Sequence, residues 1–505
     1  MTSLQSLSPL LIANRGEIAV RIMQGARKLG LKSVAVYSEA DAEAPHVGLA
    51  DQAVEIGPAE ASASYLNQTA ILQAAQQSGA RALHPGYGFL AENADFARAV
   101  LEAGLVWVGP KPEAIRAMGD KAGARAMMEA AGVPVLPGYQ GPDDSAALKK
   151  AANQIGFPLL VKAAAGGGGV GMRIVDEAEQ LDEAIAAARS TAQSAFGNGR
   201  LLLEKYLPRA HHVEVQVLGD EQGNLVHLFE RECSVQRRHQ KIIEESPSPN
   251  LDADLRERMG PAALKVAKAV DYSNAGTVEF LLDPAAGEFY FLEMNTRLQV
   301  EHPVTEMVTG LDMVEWQLRV AAGEALDFHQ EDLSQTGHAI ECRIYAEDAA
   351  VGFLPQTGRI RVLKLPEGEG LRVDSGVSAG QDVGAHYDPM LAKLIVQAED
   401  RPAAIEKMRG ALAQMVVLGL TTNIDFLQFI LEQEAFKKGQ VDTAWVEREL
   451  GEWQVEAEPP PKVLIAAALA ALDLETATPG ADGEMGKDPY SPWARGDAFR
   501  LGARA

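Results

Sequence analysis

The sequence predicts a multidomain protein, α/β at its amino end and α+β beyond, and three observations carry that prediction. Strand-like and helix-like segments alternate regularly from residue 9 to about Gly109. From about residue 111 the strand-like segments come in pairs joined by turns, as hairpins set between helices. The 505 residues are enough for about three domains at the usual ~100–200 residues each.

In the first region PLLIAN reads as a strand, Glu17 to Leu29 as an amphipathic helix and LKSVAVYS as a second strand, which is a βαβ unit. The pattern recurs through AILQAAQQSGARALHPGYGFL and FARAVLEAGLVWVG. A parallel sheet is expected, with ligands met at its Gly- and Pro-rich strand ends. HPGYGFLAEN, residues 84 to 93, reads either as a wall of an active site or as a tight turn with special backbone conformations at Gly86 and Gly88.

GFPLLVKAAAGGGGVGMRIV, residues 156 to 175, reads as strand, glycine loop, strand. Gly166, Gly168 and Gly171 formally match G-x-G-x-x-G, but that motif must open a helix and here MRIV continues as a strand. A flap whose backbone N–H groups cover phosphates fits the four consecutive glycines; a surface hairpin is the alternative. Lys162 favours the flap, because a charge inside apolar PLLVKAA needs an anionic partner. LLLEKYLPRAHHVEVQVLGD, residues 201 to 220, runs strand, loop, strand. Glu204, Lys205, Tyr206 and Leu207 form a linker able to hold an adenine by backbone hydrogen bonds, while His211 and His212 read as loop residues, with His212 able to reach a phosphate. CSVQRRHQKIIEESP, residues 233 to 247, gathers Arg237, Arg238, His239 and Lys241 in an acidic chain, which marks an anion site in preference to an ion-pair network.

GTVEFLLDPAAGEFYFLEMN, Gly276 to Asn295, reads as two apolar strands joined by a turn at Asp283 to Glu288. Glu279 and Glu293 lie symmetrically about Ala286, so closure there sets the two carboxylates opposite each other with Cβ atoms about 4.5–5.5 Å apart. Unneutralised they would repel. A Mg²⁺ ion resolves this, since it takes one or two carboxylates plus phosphate oxygens and water. The plainer reading is two strand-end glutamates paired with lysines in solvent. Glu293, Asn295, Arg297, Gln299 and Glu301 fall on odd positions, so an extended chain would point all five to one ligand-facing side.

Residues 334 to 446 form a third unit whose first clear strand is HAIECRIYAED. His338, Ile340, Cys342 and Ile344 share one face; Glu341, Arg343 and Tyr345 share the other, which reads equally as a functional polar face or as a solvated edge. After Leu450 come a Glu-rich stretch, Pro459 to Pro461, the helix-like VLIAAALAALDL and a Gly/Asp/Pro-rich end.

A net charge of -24 argues against nucleic acid as a partner, which needs clustered Lys and Arg. Cys233 and Cys342 are the only cysteines, so a disulfide framework is excluded and a reducing cytoplasm fits. MTSLQSLSPLLIAN lacks a basic n-region, and no run of 18 apolar residues occurs, so neither export nor a membrane partner is expected.

With these pieces placed, the chain resembles the biotin carboxylases, the ATP-grasp components of biotin-dependent carboxylases, across roughly residues 8 to 448. The resemblance rests on LIANRGEIAVRI (11–22), HPGYGFLAEN (84–93), MGDK (118–121), VKAAAGGGGVGM (161–172), EKYL (204–207), RHQK (238–241) and EMNTRLQVEHPVTE (293–306), in order and at family-like spacing. It implies a Rossmann-like amino-terminal domain over 1–117, an ATP-grasp domain over 118–333 with a mobile glycine-rich lid near 133–205, a carboxy-terminal biotin carboxylase domain over 334–448, and a linker with the start of a following domain over 449–505. LPGYQG (136–141), KAAAGGGG (162–169) and VEWQLRVAAGE (314–324) look closest to the biotin-containing alpha subunits of methylcrotonyl-CoA and geranyl-CoA carboxylases.

The resemblance further implies ATP- and bicarbonate-dependent carboxylation of protein-bound biotin through carboxyphosphate. Carried over motif by motif, Lys121, Lys162, His212 and the linker Glu204, Lys205, Tyr206 and Leu207 would bind ATP, with Gly168 and Gly169 over the phosphates and His239 beside the nucleotide. Glu279, Glu293 and Asn295 would hold Mg²⁺, with Mn²⁺ as the alternative ion. Lys241, Arg297, Gln299 and Val300 would hold bicarbonate, Glu301 would be its general base, and Arg343 would stabilise the enolate-like form of biotin. The implied partners are a biotinylated carrier domain or protein, a carboxyltransferase subunit, and further copies in a homodimer or larger hetero-oligomer. The family's carrier lysine sits between methionines, and none of the 14 methionines here precedes a lysine. The chain is therefore expected to be an amino-terminal piece of a longer polypeptide or to use a separate carrier.

Family members commonly carry a serine and a further glycine before the flap, and an arginine where this chain has Val170. Urea carboxylases resemble this chain in tolerating an aliphatic residue there. Two other readings follow: another ATP-grasp ligase, such as half of a carbamoyl phosphate synthetase, or a nucleotide-binding assembly subunit whose turnover is impaired through Val170. Arg343 and RLQVEH argue against the first.

Overall fold

Five parallel strands open the chain, and the inner ones are buried on both faces. The five are β1 (Leu10–Ile12), β2 (Ser33–Ser38), β3 (Gln52–Gly57), β4 (Ala82–His84) and β5 (Val106–Trp107), in the order β3-β2-β1-β4-β5. Leu10, Ile12 and Ala35 pack with Ile18, Ile22, Met23 and Ala26 of α1 (Gly16–Lys28). Leu11, Val34, Val36 and Leu83 pack instead with Ile71 and Ala75 of α2 (Gln68–Ser78) and Phe96 and Val100 of α3 (Ala94–Glu102). Asn67 and Asn93 accept from the backbone N–H groups of Ala70 and Phe96 and so start α2 and α3. The expected βαβ region is present.

The computed structural model describes residues 4–163, 172–238, 240–451, 453–454 and 461–476. Gly168, Gly169, Val170 and His239 lie outside the described residues. The chain to Trp453 forms one compact unit and the stretch from Gln454 another. In the latter, VLIAAALAALDL falls within a helix, Pro461–Thr476, as expected. No described helix is long and apolar enough to cross a membrane.

Asp120 caps α4 (Lys121–Ala130) through the Ala122 N–H. A four-stranded antiparallel sheet follows, built from β6 (Gly138–Tyr139), β7 (Leu159–Ala163), β8 (Arg173–Val175) and β9 (Leu201–Lys205) in the order β6-β9-β7-β8. Its own small core joins Leu159, Val161, Val175, Leu201 and Leu203 to Leu148 and Ala151 of α5 (Ser145–Ile155) and Leu181 and Ile185 of α6 (Leu181–Phe196). The two strands expected on either side of the glycines pair as antiparallel β7 and β8, and the glycines themselves lie outside the described residues.

The remaining long strands make one eight-stranded sheet. They are β10 (His211–Gly219), β11 (Leu225–Arg237), β12 (Gln240–Ser246), β13 (Asn274–Asp283), β14 (Glu288–Asn295), β15 (His338–Tyr345), β16 (Leu371–Ser375) and β17 (Met390–Ala398). Their order is β14-β13-β10-β11-β12-β15-β17-β16. Strand β15 is therefore interior, paired with β12 and β17, and all eight of its residues are buried. The solvated-edge reading fails here. Ile340, Cys342 and Ile344 join the core beneath α9 (Arg401–Gln414), whose Ile405 and Met408 they share. On the opposite face Ala339 packs with Val304 and Val308 of α8 (His302–Thr309). Between helix α8 and the sheet sits the polar face carrying Glu341 and Arg343, which period-2 alternation places together with Ala339. On β10, Val213, Val215 and Val217 enter an apolar core with Leu255, Met259 and Val266 of α7 (Ala253–Ala269). That burial turns His212, Glu214 and Gln216 to the other face.

Candidate active site

Lys241 on β12 is the hub of that polar face. Its Nζ donates to Glu214 at 2.6 Å, Glu279 at 2.9 Å and Glu301 at 2.6 Å. Arg231 on β11 is fully buried and donates Nε to Glu214 at 2.6 Å, with its remaining N–H groups on Gln216, Thr305, Thr277 and Gln299. Arg343 on β15 donates Nε to Glu244 at 2.6 Å and a terminal N–H to Glu301 at 3.0 Å. Lysine and arginine are rarely buried without anionic partners, and here each has one.

The hairpin expectation is met by an unexpected route. The β13/β14 turn pairs Asp283 with Glu288 and Phe280 with Phe291, a register centred between Ala285 and Ala286. A one-residue shift on β14 just past Phe280 then brings Glu279 opposite Glu293. Asn295 Nδ2 donates to Glu279 at 2.9 Å, and Gln299 Nε2 does the same. Glu293 accepts from Lys121 at 2.9 Å, and His212 Nε2 lies 3.0 Å from Glu279. The donor set is hard oxygen beside a shielded carboxylate, which fits a divalent ion of the Mg²⁺ kind.

The expectation of one extended side from Glu293 to Glu301 is corrected. β14 ends at Asn295, and residues 296–301 form an irregular turn into α8. The turn, and not strand alternation, delivers Gln299 to Glu279 and Arg231, and Glu301 to Lys241 and Arg343. Arg297 donates to Asn295 and lies 3.3 Å from Glu92. The Val300 carbonyl accepts from the fully buried Lys393 at 2.7 Å.

Charge balance in this pocket splits the carboxyl groups. Burial works to raise Glu279 and Glu301, but Lys241 and His212 outweigh it at Glu279, and Lys241, Arg343 and Arg231 outweigh it at Glu301, so both are held below the usual carboxylate range. At Glu214 burial prevails over Arg231 and Lys241, and at Glu244 it pushes the carboxyl up to about 7 against Arg343. Burial would lower Lys241 and Arg343, but their carboxylate partners hold both well above their ordinary values. The cluster thus favours the ionised form of Glu279 and Glu301 and ties each to buried cationic groups.

On the neighbouring four-stranded sheet Lys162 does have an anionic partner, Glu204, which also lies 3.7 Å from Arg125. Lys205 Nζ donates to the Phe157 carbonyl at 2.8 Å. The N–H groups of Lys205 and Tyr206 are taken by the Pro137 and Pro158 carbonyls. His211 and His212 begin β10 and are buried, so they are not loop residues. In the basic island, Arg237 pairs with Glu347 and Lys241 with its three carboxylates, an ion-pair network among the described residues. HPGYG is the tight turn expected: Gly86 and Gly88 have φ of +65° and +67°, and Asn14 Nδ2 ties the Pro85 and Tyr87 carbonyls at 2.7 Å; further along, Glu92 lies 3.3 Å from Arg297.

Sequence reasoning missed Glu214, Arg231, Glu244 and Lys393. A signal for Glu214 was present, since His212, Glu214 and Gln216 alternate with three valines; a polar period-2 face opposite an apolar one can be a site and not only a solvated surface.

Three family models match the chain in tandem: the biotin carboxylase N-terminal domain over residues 6–115, the carbamoyl-phosphate synthase L chain ATP-binding domain over 120–329, and the biotin carboxylase C-terminal domain over 341–448. The chain is 53% identical over 445 residues to the mitochondrial methylcrotonoyl-CoA carboxylase subunit alpha of Oryza sativa, a match covering 88% of this chain and 60% of that subunit. It is 49% identical to the biotin carboxylase of Haemophilus influenzae, covering 88% of this chain and 99% of that protein. The biotin carboxylase domain of Hydrogenobacter thermophilus 2-oxoglutarate carboxylase, solved with MgADP, ADP and bicarbonate, superposes with a TM-score of 0.83 at 45% identity, covering 88% of this chain and 99% of that one. The middle model carries a carbamoyl-phosphate synthase name, but the models on either side do not. With a protein of the same length class matched almost end to end, the chain belongs to the biotin carboxylase family.

Proposed function

We propose that this chain carboxylates protein-bound biotin using ATP and bicarbonate, as the first half-reaction of an acyl-CoA carboxylase. The observation that carries the reading is the convergence of Lys241, Glu301 and Arg343 in one buried cluster beside the opposed Glu279 and Glu293.

Bicarbonate is a poor nucleophile until its proton is removed. Lys241, Arg297, Gln299 and the Val300 backbone hold it, and Glu301 takes the proton. With Lys241 and Arg343 on its oxygens Glu301 is a weak base; an anion that draws those cations to itself restores its basicity. The deprotonated oxygen attacks the γ-phosphorus of ATP, the bond to ADP breaks and carboxyphosphate forms. Mg²⁺ at Glu279, Glu293 and Asn295 supplies charge neutralisation on the phosphates when bound. Lys121 and Lys162 turn from Glu293 and Glu204 to phosphate oxygens. Glu204, Lys205, Tyr206 and Leu207 hold the adenine, and Leu207 suits this because its N–H donates to no group among the described residues. His212, Gly168, Gly169 and His239 complete the nucleotide set. Carboxyphosphate breaks into CO₂ and phosphate; the phosphate takes the N1′ proton of biotin, Arg343 holds the enolate-like oxygen, and N1′ attacks CO₂.

The domain plan we propose is 1–117, 118–333 with its lid, 334–448 and 449–505. A biotinylated carrier, a carboxyltransferase and further copies of the chain are the partners. The matched methylcrotonoyl-CoA carboxylase subunits favour an acyl-CoA carboxylase. The buried free thiols of Cys233 and Cys342 suit a reducing compartment such as the cytoplasm; the matched plant and animal subunits are named as mitochondrial.

ADP release from ATP, Mg²⁺ and bicarbonate, measured with and without free biotin, tests the reading. A biotin-stimulated rate that disappears in Arg343→Ala is expected; ATP binding with no biotin- or bicarbonate-dependent turnover would replace it with the assembly-subunit reading.

A further inference from the structure

Behind Arg343 lies a charge that the mechanism does not use. Glu341, two residues earlier on β15 and on the same face, is fully buried, and neither of its carboxyl oxygens has a hydrogen-bond partner among the described residues. Its register partner on β12 is Glu244, also fully buried, whose Oε1 accepts from Arg343 while its Oε2 has no partner. Two carboxyl groups thus face each other across adjacent strands, where Cβ atoms stand about 4.5–5.5 Å apart.

The cations nearby are committed elsewhere. Arg343 spans Glu244 and Glu301. Lys393, opposite Arg343 on β17, donates to the Val300 carbonyl and lies 3.3 Å from Glu17 and 3.7 Å from Asp374. On α8, His302 and Glu306 face Lys393, Arg21 and Arg372. On the opposite face, α9 presents apolar Ile405 and Met408. An ionised Glu341 would be an uncompensated buried charge beside a like charge, which a fold avoids by keeping the group neutral.

We infer that Glu341 is a positioning residue of the biotin half-reaction: a neutral carboxylic acid whose proton serves Glu244 and so leaves the Arg343 guanidinium free to exchange Glu301 for a substrate oxygen. Burial pushes the Glu341 carboxyl well above its usual range, with Lys393 and Arg343 offsetting only part and Glu244 and Glu301 adding to it. When Glu341 loses its proton, Glu244 and Glu341 together draw Arg343 off Glu301 and off biotin. The pair therefore sets an alkaline limit on biotin use that neither ATP nor bicarbonate binding shares. The inference rests on the biotin carboxylase reading.

The test compares full-length wild type, Glu341→Gln and Glu341→Leu, with free biotin as the probe. Glutamine keeps a neutral donor at the register position opposite Glu244; leucine removes it. Glu341→Gln is expected to stay within about threefold of wild type near neutral pH and to lose the alkaline fall in kcat/KM for biotin. Glu341→Leu is expected to lower kcat/KM for biotin by roughly tenfold or more, the size expected when a buried acceptor is left unpaired, with KM for ATP unchanged. A purely structural role would move both KM values and the melting temperature together, and that pattern overturns the inference, as does a Glu341→Gln variant as impaired as Glu341→Leu. A second readout needs no turnover: an infrared C=O band of a protonated carboxyl that is present in wild type at neutral pH and is lost in Glu341→Gln, while any bands of Glu214 and Glu244 remain. Its absence from wild type overturns the inference whatever the activity. Biotin-independent wild-type turnover, by contrast, overturns only the carboxylase reading.

Discussion

The polar face of the eight-stranded sheet and the four-stranded sheet beside it both carry ion pairs, but they hold them differently. Around Lys241 the carboxylates of Glu214 and Glu301 are 0% and 2% exposed. On the smaller sheet Lys162 and Glu204 are 22% and 16% exposed, and Lys149 with Asp182 are 49% and 65% exposed. Buried pairs are fixed by the need to avoid an uncompensated charge, and breaking one by removing a partner typically costs about 3–5 kcal/mol. Wetter pairs contribute about 1 kcal/mol or less and exchange easily. The fixed cluster suits a step in which atoms must be held to within a bond length; the exchangeable pairs suit a segment that takes up and releases a nucleotide.

Variants can break this contrast, and the largest effect should come from Glu301. Glu301→Gln keeps the shape but cannot accept a proton, so bicarbonate-dependent ADP release should fall by about 10²–10⁴-fold, with ATP affinity by calorimetry unchanged. Next, Lys241→Met leaves Glu214, Glu279 and Glu301 without their shared cation, and chemical denaturation should show a loss of about 3–5 kcal/mol. A loss under about 1 kcal/mol would mean that the cluster is wet and the contrast false. On the other sheet Lys162→Ala should change stability by about 1 kcal/mol or less while weakening ATP binding by roughly tenfold, the equivalent of one charge-assisted hydrogen bond.

A further effect, read as a slope and not as a single loss, sharpens the picture through pH. Glu244 is an acid whose folded pKa, about 7, lies above its unfolded value. The folded state therefore binds the proton more tightly, and the stability this contributes is present below the unfolded pKa and is lost as pH rises through the folded one. Between about pH 4.5 and 7 wild type should lose stability relative to Glu244→Gln, by at most about 1.4 kcal/mol per pH unit. Parallel denaturation midpoints across that window would contradict it.

The same contrast explains what was legible in the sequence. Parallel strands such as β1 and β4 show as short apolar runs, and the β7/β8 and β13/β14 hairpins show as apolar runs around Gly and Pro, because burial is written in residue type. The pairing of Glu279 with Glu293 was legible from spacing, although it depends on a register shift that spacing does not encode. What was hidden is the depth of the polar face. Glu341 and Arg343 alternate with apolar residues as they would on a solvated edge, and only the pairing of β15 with both β12 and β17 buries them. Glu301 reaches Lys241 through an irregular turn, and no periodicity predicts where such a turn points.

The central claim is that bicarbonate is activated in the buried cluster of Lys241, Glu301 and Arg343, and its most direct test follows oxygen. With bicarbonate fully labelled in ¹⁸O and unlabelled water, ADP release should yield phosphate carrying one ¹⁸O, since the attacking oxygen stays with phosphorus when carboxyphosphate breaks down, and Glu301→Gln should abolish that labelled phosphate. Unlabelled phosphate from wild type, or equal labelling by the variant, would contradict the account.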